Sequence, residues 1–309
     1  MTLRLGTRGS ALAMAQSKTV ADAVRERTGR DVELIEIVTA GDRSSEPIQR
    51  LGVGVFVSAL RDALLNKEID FAVHSYKDLP TAPAEGLVVA AIPLRQDPRD
   101  ALVARDGLML NELPDGARIG TSALRRIAQI NALGRRLSAV PLRGNVDTRL
   151  RKLAEGEFDA IVLAHAGLAR LGRGGEATEV LDPLLMLPAP AQGALAVECR
   201  EDDVELREVL AALDDEYTRA AVAAERALLA ELEAGCSAPI AALAEVAEGD
   251  EGPEIYLRGA VFSPDGGFAL RLSRTGTLAD AAEVGRALAR DLREEGADNA
   301  LGVQHDPHP

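Results

Sequence analysis

The chain has 309 residues, 47% of them hydrophobic, and its 35 Lys and Arg against 49 Asp and Glu give a formal net charge of −14 at pH 7. This balance opposes any general attraction to nucleic acid or to an anionic membrane surface. With three Tyr, five Phe and no Trp, the chain also has few rings on which single-stranded bases could stack. The length is sufficient for two or three domains whose cores are built from Leu, Val, Ile and Ala.

The first third of the chain alternates short apolar strands with amphipathic helices. The predicted elements are strands over Leu3–Gly6, Val32–Val38 and Phe71–Ser75 and helices over Ser10–Arg27 and Phe56–Lys67. Such alternation is typical of parallel α/β layering. The Gly- and Ser-rich stretch Thr39–Gly54 lacks a clear period, and we predict that it is a mobile loop able to act as a lid.

The same alternation returns after Ala101, which predicts a second, similar α/β lobe. Its predicted elements are strands over Ala117–Gly120, Ser138–Leu142 and Phe158–Ala164 and helices over Ala123–Leu133 and Val146–Ala154. Pro188 and Pro190 then predict a hinge. A further strand over Ala194–Cys199 and two helices reaching about Leu232 follow it.

Beyond Cys236 the period of the apolar residues changes to two. Segments over Ile240–Val246, Ile255–Phe262 and Phe268–Arg274, followed by a helix over Ala281–Glu295, predict a small α+β domain. The expected fold is therefore α/β, with two similar lobes of the periplasmic-binding-protein type joined by a hinge and a small C-terminal α+β domain. The expected boundaries are 1–93 with 194–212 for the first lobe, 97–188 for the second, 216–303 for the C-terminal domain and 304–309 for a disordered tail.

Polar clusters follow several of the predicted strands. They are Thr7-Arg8-Gly9-Ser10, His74 to Asp78, Thr121-Ser122 and Arg143-Gly144-Asn145. Ligands of open α/β sheets bind beyond the carboxyl ends of the strands, so these clusters fall where a binding cleft is expected. The helix N-termini that follow Ser10, Ser122 and Asn145 would add backbone donors for an anion.

A cationic segment runs from Arg125 to Lys152 in this acidic chain. It holds Arg125, Arg126, Arg135, Arg136, Arg143, Arg149, Arg151 and Lys152 against one acid, Asp147. Several guanidinium groups around one cavity indicate a small ligand that bears several carboxylates or phosphates. A solvated helix face remains the alternative, above all for Arg135, Arg136, Arg151 and Lys152.

Two further segments contain residues that could take part in catalysis. Lys77 and Asp78 lie side by side after a buried strand, where they could form an acid–base centre or merely a loop ion pair. Cys236 lies in a predicted loop, where a thiol can be a nucleophile or an attachment point, although a buried structural role is the ordinary explanation. Cys199, at a strand end, is expected to belong to the core. The two Cys and four His lack ligand spacing, so no metal site is expected.

In combination these segments resemble the porphobilinogen deaminase, or hydroxymethylbilane synthase, family over nearly the whole chain. The resemblance rests on Gly6-Thr7-Arg8-Gly9-Ser10, His74-Ser75-Tyr76-Lys77-Asp78-Leu79-Pro80, Gly120-Thr121-Ser122-Ala123-Leu124-Arg125-Arg126, Leu142-Arg143-Gly144-Asn145-Val146, Pro190-Ala191-Gln192-Gly193 and Gly235-Cys236 before Pro239. Each motif alone is weak, but six in the same order are highly specific. Three positions depart from residues common in the family, namely Val53, Ala123 and Ala234.

The resemblance implies an enzyme of tetrapyrrole synthesis that condenses four porphobilinogen molecules head to tail into hydroxymethylbilane, with loss of four ammonia molecules. It implies a dipyrromethane cofactor joined to Cys236 through a thioether, and Asp78 as the catalytic carboxylate. The cofactor-binding residues implied are Lys77, Arg125, Arg126, Thr121 and Ser122. The substrate-binding residues implied are Arg8, Ser10, Arg143, Arg149 and Arg170. It also implies a monomer.

Two other classes of protein remain as alternatives. A two-lobed protein that binds small anions without catalysis would need neither Asp78 nor Cys236. The chain shows no basic and apolar leader, no apolar run near 18 residues and no basic helix-turn-helix, so we expect a cytoplasmic protein rather than a periplasmic receptor or a DNA-binding regulator. A cysteine hydrolase would need His74 or His165 as a base toward Cys236, and neither histidine lies in a recognisable signature of that class.

Overall fold

The computed structural model describes residues 2–38, 57–232, 239–249 and 252–301. The strands are β1 (Leu3–Thr7), β2 (Val32–Glu36), β3 (Phe71–Ser75), β4 (Leu87–Ala91), β5 (Asp100–Ala104), β6 (Arg118–Gly120), β7 (Ser138–Val140), β8 (Ala160–Ala164), β9 (Glu179–Val180), β10 (Leu195–Arg200), β11 (Ile240–Gly249), β12 (Gly252–Phe262) and β13 (Ala269–Thr277). The helices are α1 (Ala11–Thr28), α2 (Ser58–Leu65), α3 (Leu124–Ala132), α4 (Val146–Ala154), α5 (His165–Arg170), α6 (Val204–Ala211), α7 (Glu216–Glu231), α8 (Ala281–Glu294) and α9 (Ala297–Leu301).

The chain divides into two compact units. The first comprises Met1–Gln96 with Gly193–Arg219, and the second comprises Asp97–Gln192 with Ala220–Pro309. The second unit holds two separate sheets, one of the predicted second lobe and one of the predicted C-terminal domain. The three-domain boundaries expected from the sequence remain a prediction.

The first unit is built on one five-stranded sheet with the order β2-β1-β3-β10-β4. Strands β2, β1 and β3 run parallel, and β10 lies antiparallel to both β3 and β4. Successive side chains of a strand point to opposite faces, so Phe71 packs with Leu5 and Val197 on one face while Ala72 packs with Leu60 on the other. A sheet covered on both faces explains the continuous apolar run of β3.

The second lobe repeats this arrangement strand for strand. Its sheet has the order β7-β6-β8-β5-β9, with β7, β6 and β8 parallel and β5 antiparallel to both β8 and β9. Val162 packs on one face with Ile119, and Ile161 packs on the other with Leu142. The predicted pair of similar α/β lobes is thereby confirmed.

The C-terminal part of the second unit is a three-stranded antiparallel sheet in the order β11-β12-β13. Helices α7 and α8 cover one of its faces, with Leu228, Leu257 and Leu288 in a shared core. The prediction of a small α+β domain from the period of two is confirmed.

The sequence missed five of these elements and misplaced several ends. Strands β4, β5 and β9 and helices α5 and α9 were not predicted, because fully buried strands such as β5 do not alternate and short segments carry little periodic signal. The strand predicted to reach Leu142 ends at Val140, since Pro141 has no N–H to donate to a ladder. Among the described helices, none combines the length and the apolar character needed to cross a membrane.

Candidate active site

The predicted site residues follow equivalent strands in the two lobes. In the first unit, Arg8 and Ser10 follow β1, and Lys77 and Asp78 follow β3. In the second unit, Thr121 to Arg126 follow β6, Arg143 and Arg149 follow β7, and Arg170 ends the helix after β8. The expectation that these residues lie beyond strand ends is met within each lobe.

A short 3-10 turn, Tyr76–Asp78, presents the acid of the first lobe. The amide of Tyr76 donates to the Ala194 carbonyl at 3.0 Å, and the amide of Leu79 closes the turn by donating to the Tyr76 carbonyl at 3.2 Å. Leu79 is buried, whereas Asp78 is exposed and Lys77 is half-buried. The backbone anchors therefore hold the Asp78 carboxylate at the surface on a fixed support.

Behind this turn lies a buried charged cluster. Arg61 Nη2 donates to Glu198 Oε1 at 2.8 Å, and His74 Nε2 lies 3.2 Å from Glu198 Oε2. His74 Nε2 makes no hydrogen bond within the described part of the chain, so its contact with Glu198 is electrostatic. Burial tends to raise the pKa of Glu198, but His74 and Arg61 outweigh it and hold that pKa below its usual value. His74 is thus engaged with Glu198 inside the first lobe.

Helix α3 of the second lobe carries two buried arginines against a single carboxylate. Arg125 Nη1 donates to Asp100 Oδ2 at 2.6 Å, and its Nη2 donates to Asp100 Oδ1 at 3.1 Å. Arg126 Nη2 also donates to Asp100 Oδ1, at 2.6 Å, and its Nη1 donates to the Val162 carbonyl at 3.0 Å. Asp100 is fully buried, and the side chains of both arginines are 6% exposed.

The charges in this cluster do not cancel. Two guanidinium groups and one carboxylate carry a net charge of +1. Burial alone would raise the pKa of Asp100, but Arg125 and Arg126 hold that pKa far below its usual range. Arg126 Nε is buried and makes no hydrogen bond within the described part of the chain. A buried excess of positive charge with an unused donor suits a ligand that carries carboxylates.

Sequence reasoning selected Arg125 and Arg126 but missed the two residues that orient them. Gln192 accepts from Arg125 Nη2 at 3.1 Å and donates to Asp100 Oδ1 at 2.8 Å. Its position in Pro190-Ala191-Gln192-Gly193 was a usable signal. Asp100 gave none, because it is one of several acids in a segment with no predicted strand.

The hydroxyl groups at the end of β6 bond to the protein itself. Ser122 Oγ donates to the Leu142 carbonyl at 2.8 Å and accepts from the Leu142 amide at 3.0 Å, and Thr121 is fully buried. Ser10 caps α1 by accepting from the Ala13 amide at 3.3 Å. The hydrogen bonds of Ser10 and Ser122 therefore stabilise the backbone at the strand ends that carry the arginines.

The segment after β7 displays two more arginines. Gly144 has φ of 110°, and Asn145 caps α4 by accepting from the Thr148 amide at 2.9 Å. Arg149 Nε donates to the Gly144 carbonyl at 2.8 Å, which orients the rest of its guanidinium group, and Arg143 is exposed. On α5, burial lowers the pKa of Arg170 to about 10.

Three further members of the cationic segment are engaged elsewhere. Arg135 donates to the carbonyls of Leu110 and Leu113 at 2.6 and 2.8 Å. Arg151 pairs with Glu155 and Lys152 with Glu157. The segment is therefore not one continuous ligand surface, and these members have the structural or solvated roles that the alternative reading expected.

Comparison with known proteins decides the family. Residues 3–208 match the family model described as "Porphobilinogen deaminase, dipyromethane cofactor binding domain", and residues 219–294 match "Porphobilinogen deaminase, C-terminal domain". The chain belongs to the porphobilinogen deaminase family.

Relatives in that family match over nearly their whole length. The chain is 62% identical to the porphobilinogen deaminase of Nocardia farcinica, over 97% of this chain and 88% of the relative. It is 58% identical to that of Mycobacterium avium, over 99% and 98%. It is also 58% identical to porphobilinogen deaminase 1 of Streptomyces coelicolor, over 95% and 94%. Among solved structures, the methionine-binding protein MetQ covers 68% of this chain and is itself covered to 88%, with 15% identity and a TM-score of 0.44.

Two features expected of a porphobilinogen deaminase lie outside the described residues, namely Cys236 and the loop Thr39–Gly54. The other cysteine, Cys199, is buried in the core of the first lobe, and burial raises the pKa of its thiol to about 11. A thiol in that state is unreactive at neutral pH. The described ranges hold no group of three His, Cys, Asp or Glu side chains that could bind a metal ion.

Proposed function

We propose that this member of the porphobilinogen deaminase family is a hydroxymethylbilane synthase. It would condense four porphobilinogen molecules head to tail into hydroxymethylbilane and release four molecules of ammonia. The observation that carries the proposal is the match of both family domains, together with relatives of that name over nearly the full length. A small-anion-binding protein without catalysis is not favoured, because it would require neither the cofactor-binding domain nor an exposed acid on an anchored turn.

Asp78 is the proposed catalytic residue. Its carboxylate is exposed on the Tyr76–Asp78 turn, whose backbone is tied to the Ala194 carbonyl. A carboxylate held in this way can protonate the departing amine, stabilise positive charge on the pyrrole nitrogen and accept the proton released when two pyrroles join. One acid serves all three tasks because the protonated carboxyl formed at the end of one addition is the form required to begin the next.

Carboxylates of the substrate and of the growing chain would bind to arginines at the strand ends. Each porphobilinogen brings one acetate and one propionate group. We assign their recognition to Arg8, Arg143, Arg149 and Arg170, with Ser10 as an additional donor. A charge-assisted hydrogen bond contributes roughly 1.5–3 kcal/mol, so several arginines are needed to retain a polyanionic chain through four additions.

The dipyrromethane cofactor would be held by Lys77, Arg125, Arg126, Thr121 and Ser122 and joined to Cys236. When bound, it supplies the terminal pyrrole carbon that attacks the first substrate. The net charge of +1 on the Asp100–Arg125–Arg126 cluster and the unused Arg126 Nε support a carboxylate-bearing group at this position. The contacts of Thr121 and Ser122 support a part in shaping the site rather than a direct bond.

We also propose the domain boundaries, the location and the oligomeric state of the protein. The boundaries are those expected from the sequence, with 1–93 and 194–212 as the first lobe, 97–188 as the second and 216–303 as the domain that carries Cys236. The protein would act as a cytoplasmic monomer. It would bind no nucleic acid at physiological salt, and the net charge of −14 supports this last point.

Intact mass spectrometry with peptide mapping tests the proposal directly. The purified protein should carry an added mass equal to two linked porphobilinogen-derived units on Cys236, and it should convert porphobilinogen to hydroxymethylbilane. Cys236→Ser should lack both the adduct and the activity, whereas the matched control Cys199→Ala should keep the adduct. An unmodified wild-type chain that stays unmodified and inactive after incubation with porphobilinogen would overturn the assignment.

A further inference from the structure

Glu225 is a fully buried carboxylate on α7 that takes no part in the proposed chemistry. Its Oε2 accepts a hydrogen bond from the Ala191 amide at 2.5 Å, and its Oε1 accepts one from the Ala244 amide at 2.8 Å. A buried carboxylate is costly unless its oxygens are hydrogen-bonded, and here each oxygen meets a backbone donor. Glu225 therefore joins helix α7 and strand β11 to the segment that contains Ala191.

Ala191 has an unusual backbone conformation. Its φ is +61°, in the left-handed region where a residue with a Cβ is unfavourable, and the residue is fully buried. Such a conformation persists only when neighbouring groups hold it, and at functional sites it often contributes to preorganisation. The Ala191 amide is held by Glu225, and the next amide, that of Gln192, donates to the Ala189 carbonyl at 3.0 Å.

The turn at Ala191 directs the side chain of Gln192 into the arginine cluster. The Gln192 amide group accepts from Arg125 Nη2 at 3.1 Å and donates to Asp100 Oδ1 and to the Pro98 carbonyl, both at 2.8 Å. It thus touches both the cation and its carboxylate. A change of the Ala191 backbone would rotate this amide away from both partners.

We propose that Glu225 is a positioning residue for the cofactor-binding arginines. By fixing the Ala191 amide it fixes Gln192, and Gln192 in turn fixes the guanidinium of Arg125 and the carboxylate of Asp100. The inference rests on the proposed function, because it gives this chain of contacts the task of presenting Arg125 to a carboxylate-bearing group. A purely structural role, in which Glu225 only ties α7 to β11 through Ala244, is the competing explanation.

The first experiment compares Glu225→Gln with Glu231→Gln, a matched substitution on the same helix. A glutamine can accept only one of the two backbone N–H groups, because its NH2 opposes the other. For Glu225→Gln we expect faster hydrogen–deuterium exchange in 188–193 and 124–132. We also expect a roughly tenfold fall in the rate at which cofactor-free protein incubated with porphobilinogen acquires the Cys236 adduct, measured by intact mass, the scale expected for one lost hydrogen bond to a charged group. Glu231→Gln should resemble the wild type in both measurements.

A rescue variant separates positioning from bulk stability. Glycine adopts positive φ without a steric cost, so Ala191→Gly in the Glu225→Gln background should raise the rate of adduct formation by roughly fivefold and slow exchange in 124–132. If Glu225 acted only through Ala244, the added glycine would restore nothing, and that result would overturn the inference. If Glu225→Gln does not fold, Glu225→Asp and its Ala191→Gly double variant provide the same comparison.

The failures of the two proposals can be told apart. A wild-type protein with neither cofactor nor turnover would sink the proposed function. If the wild type is active but Glu225→Gln and Glu231→Gln show equal exchange and equal rates of adduct formation, only the role of Glu225 is refuted. Val284→Ala, in the C-terminal core, provides a destabilised reference. If Val284→Ala lowered the Tm as much as Glu225→Gln and also slowed adduct formation as much, the positioning role would be refuted too.

Discussion

The two lobes share one sheet topology, and each places a buried carboxylate on the strand that runs antiparallel to its central strand. In the first lobe this residue is Glu198 on β10, opposite Ala72 of β3, and in the second it is Asp100 on β5, opposite Ala164 of β8. Glu198 faces one arginine and one histidine, whereas Asp100 faces two arginines. The same framework thus places one arginine against the buried carboxylate in one lobe and two in the other.

The segments after the central strands β3 and β8 also differ in the charge that they present. The turn after β3 exposes the acid Asp78, and the helix after β8 ends in the cation Arg170. Under the proposed function, the strand ends of the first lobe supply the acid for proton transfer together with Arg8 for carboxylate binding, whereas those of the second lobe supply cations for carboxylates. This division teaches that the fold supplies positions at strand ends and that the residues placed there decide the function.

The largest expected effect is that of Asp78→Asn. It should lower kcat by roughly 10² to 10⁴, the range that general acid–base catalysis contributes. Because Asp78 is exposed, the free energy of unfolding should barely change. Single-turnover kinetics and urea denaturation measure the two quantities, and Glu85→Gln, at another exposed acid of the same lobe, is the control. Substantial turnover by Asp78→Asn would remove this residue from the chemistry.

The second prediction concerns the free energy of unfolding and compares the two buried carboxylates, Asp100 and Glu198. Asp100→Asn leaves two buried guanidinium groups without an anion and should cost about 3–5 kcal/mol of unfolding free energy. Glu198→Gln should cost less, because only one arginine loses its anion and the Arg61 side chain is 19% exposed, so that water can solvate its charge. Urea titration of both variants tests this order, and equal losses would contradict the distinction between the clusters.

Arg143→Ala should act on binding alone. The side chain is exposed, and loss of a charge-assisted contact worth roughly 1.5–3 kcal/mol should raise the KM for porphobilinogen about tenfold or more. The control is Arg151→Ala, which removes a nearby exposed arginine paired with Glu155. Steady-state kinetics on both proteins decides the matter, since equal KM values would show that Arg143 does not meet a carboxylate.

The smallest effect is a pH dependence. The folded pKa values of Asp100 and Glu198 lie below their unfolded values, so their ion pairs contribute stability above about pH 4 that is lost as the pH falls through the folded values. The stability difference between wild type and Asp100→Asn should therefore shrink progressively below about pH 4. Thermal melts from pH 7 to pH 3 measure it, and a difference independent of pH would mean that Asp100 is not ionised in the folded protein.

Much of the fold was accessible to prediction because its signals are local. Strand β3 and helix α4 were predicted to the residue, and the helix N-terminus predicted to follow Asn145 is capped by that residue. Strand β5 was missed because all of its residues are buried, which removes the alternation that identifies a half-exposed strand. The contacts of Asp100 were missed for the same reason, since the carboxylate lies on that strand.

The sequence by itself determined the family, the class of chemistry and the identity of Lys77, Asp78, Arg125 and Arg126 as candidate residues, because short ordered motifs and charge are properties of the linear chain. The tertiary structure alone decided which cations of the 125–152 segment share a carboxylate and which bond to backbone carbonyls. It also decided that Glu225, 34 residues from Ala191, holds that amide. The physical reason is that burial and hydrogen bonding join groups far apart in the chain, and no local period or motif records which partners will meet.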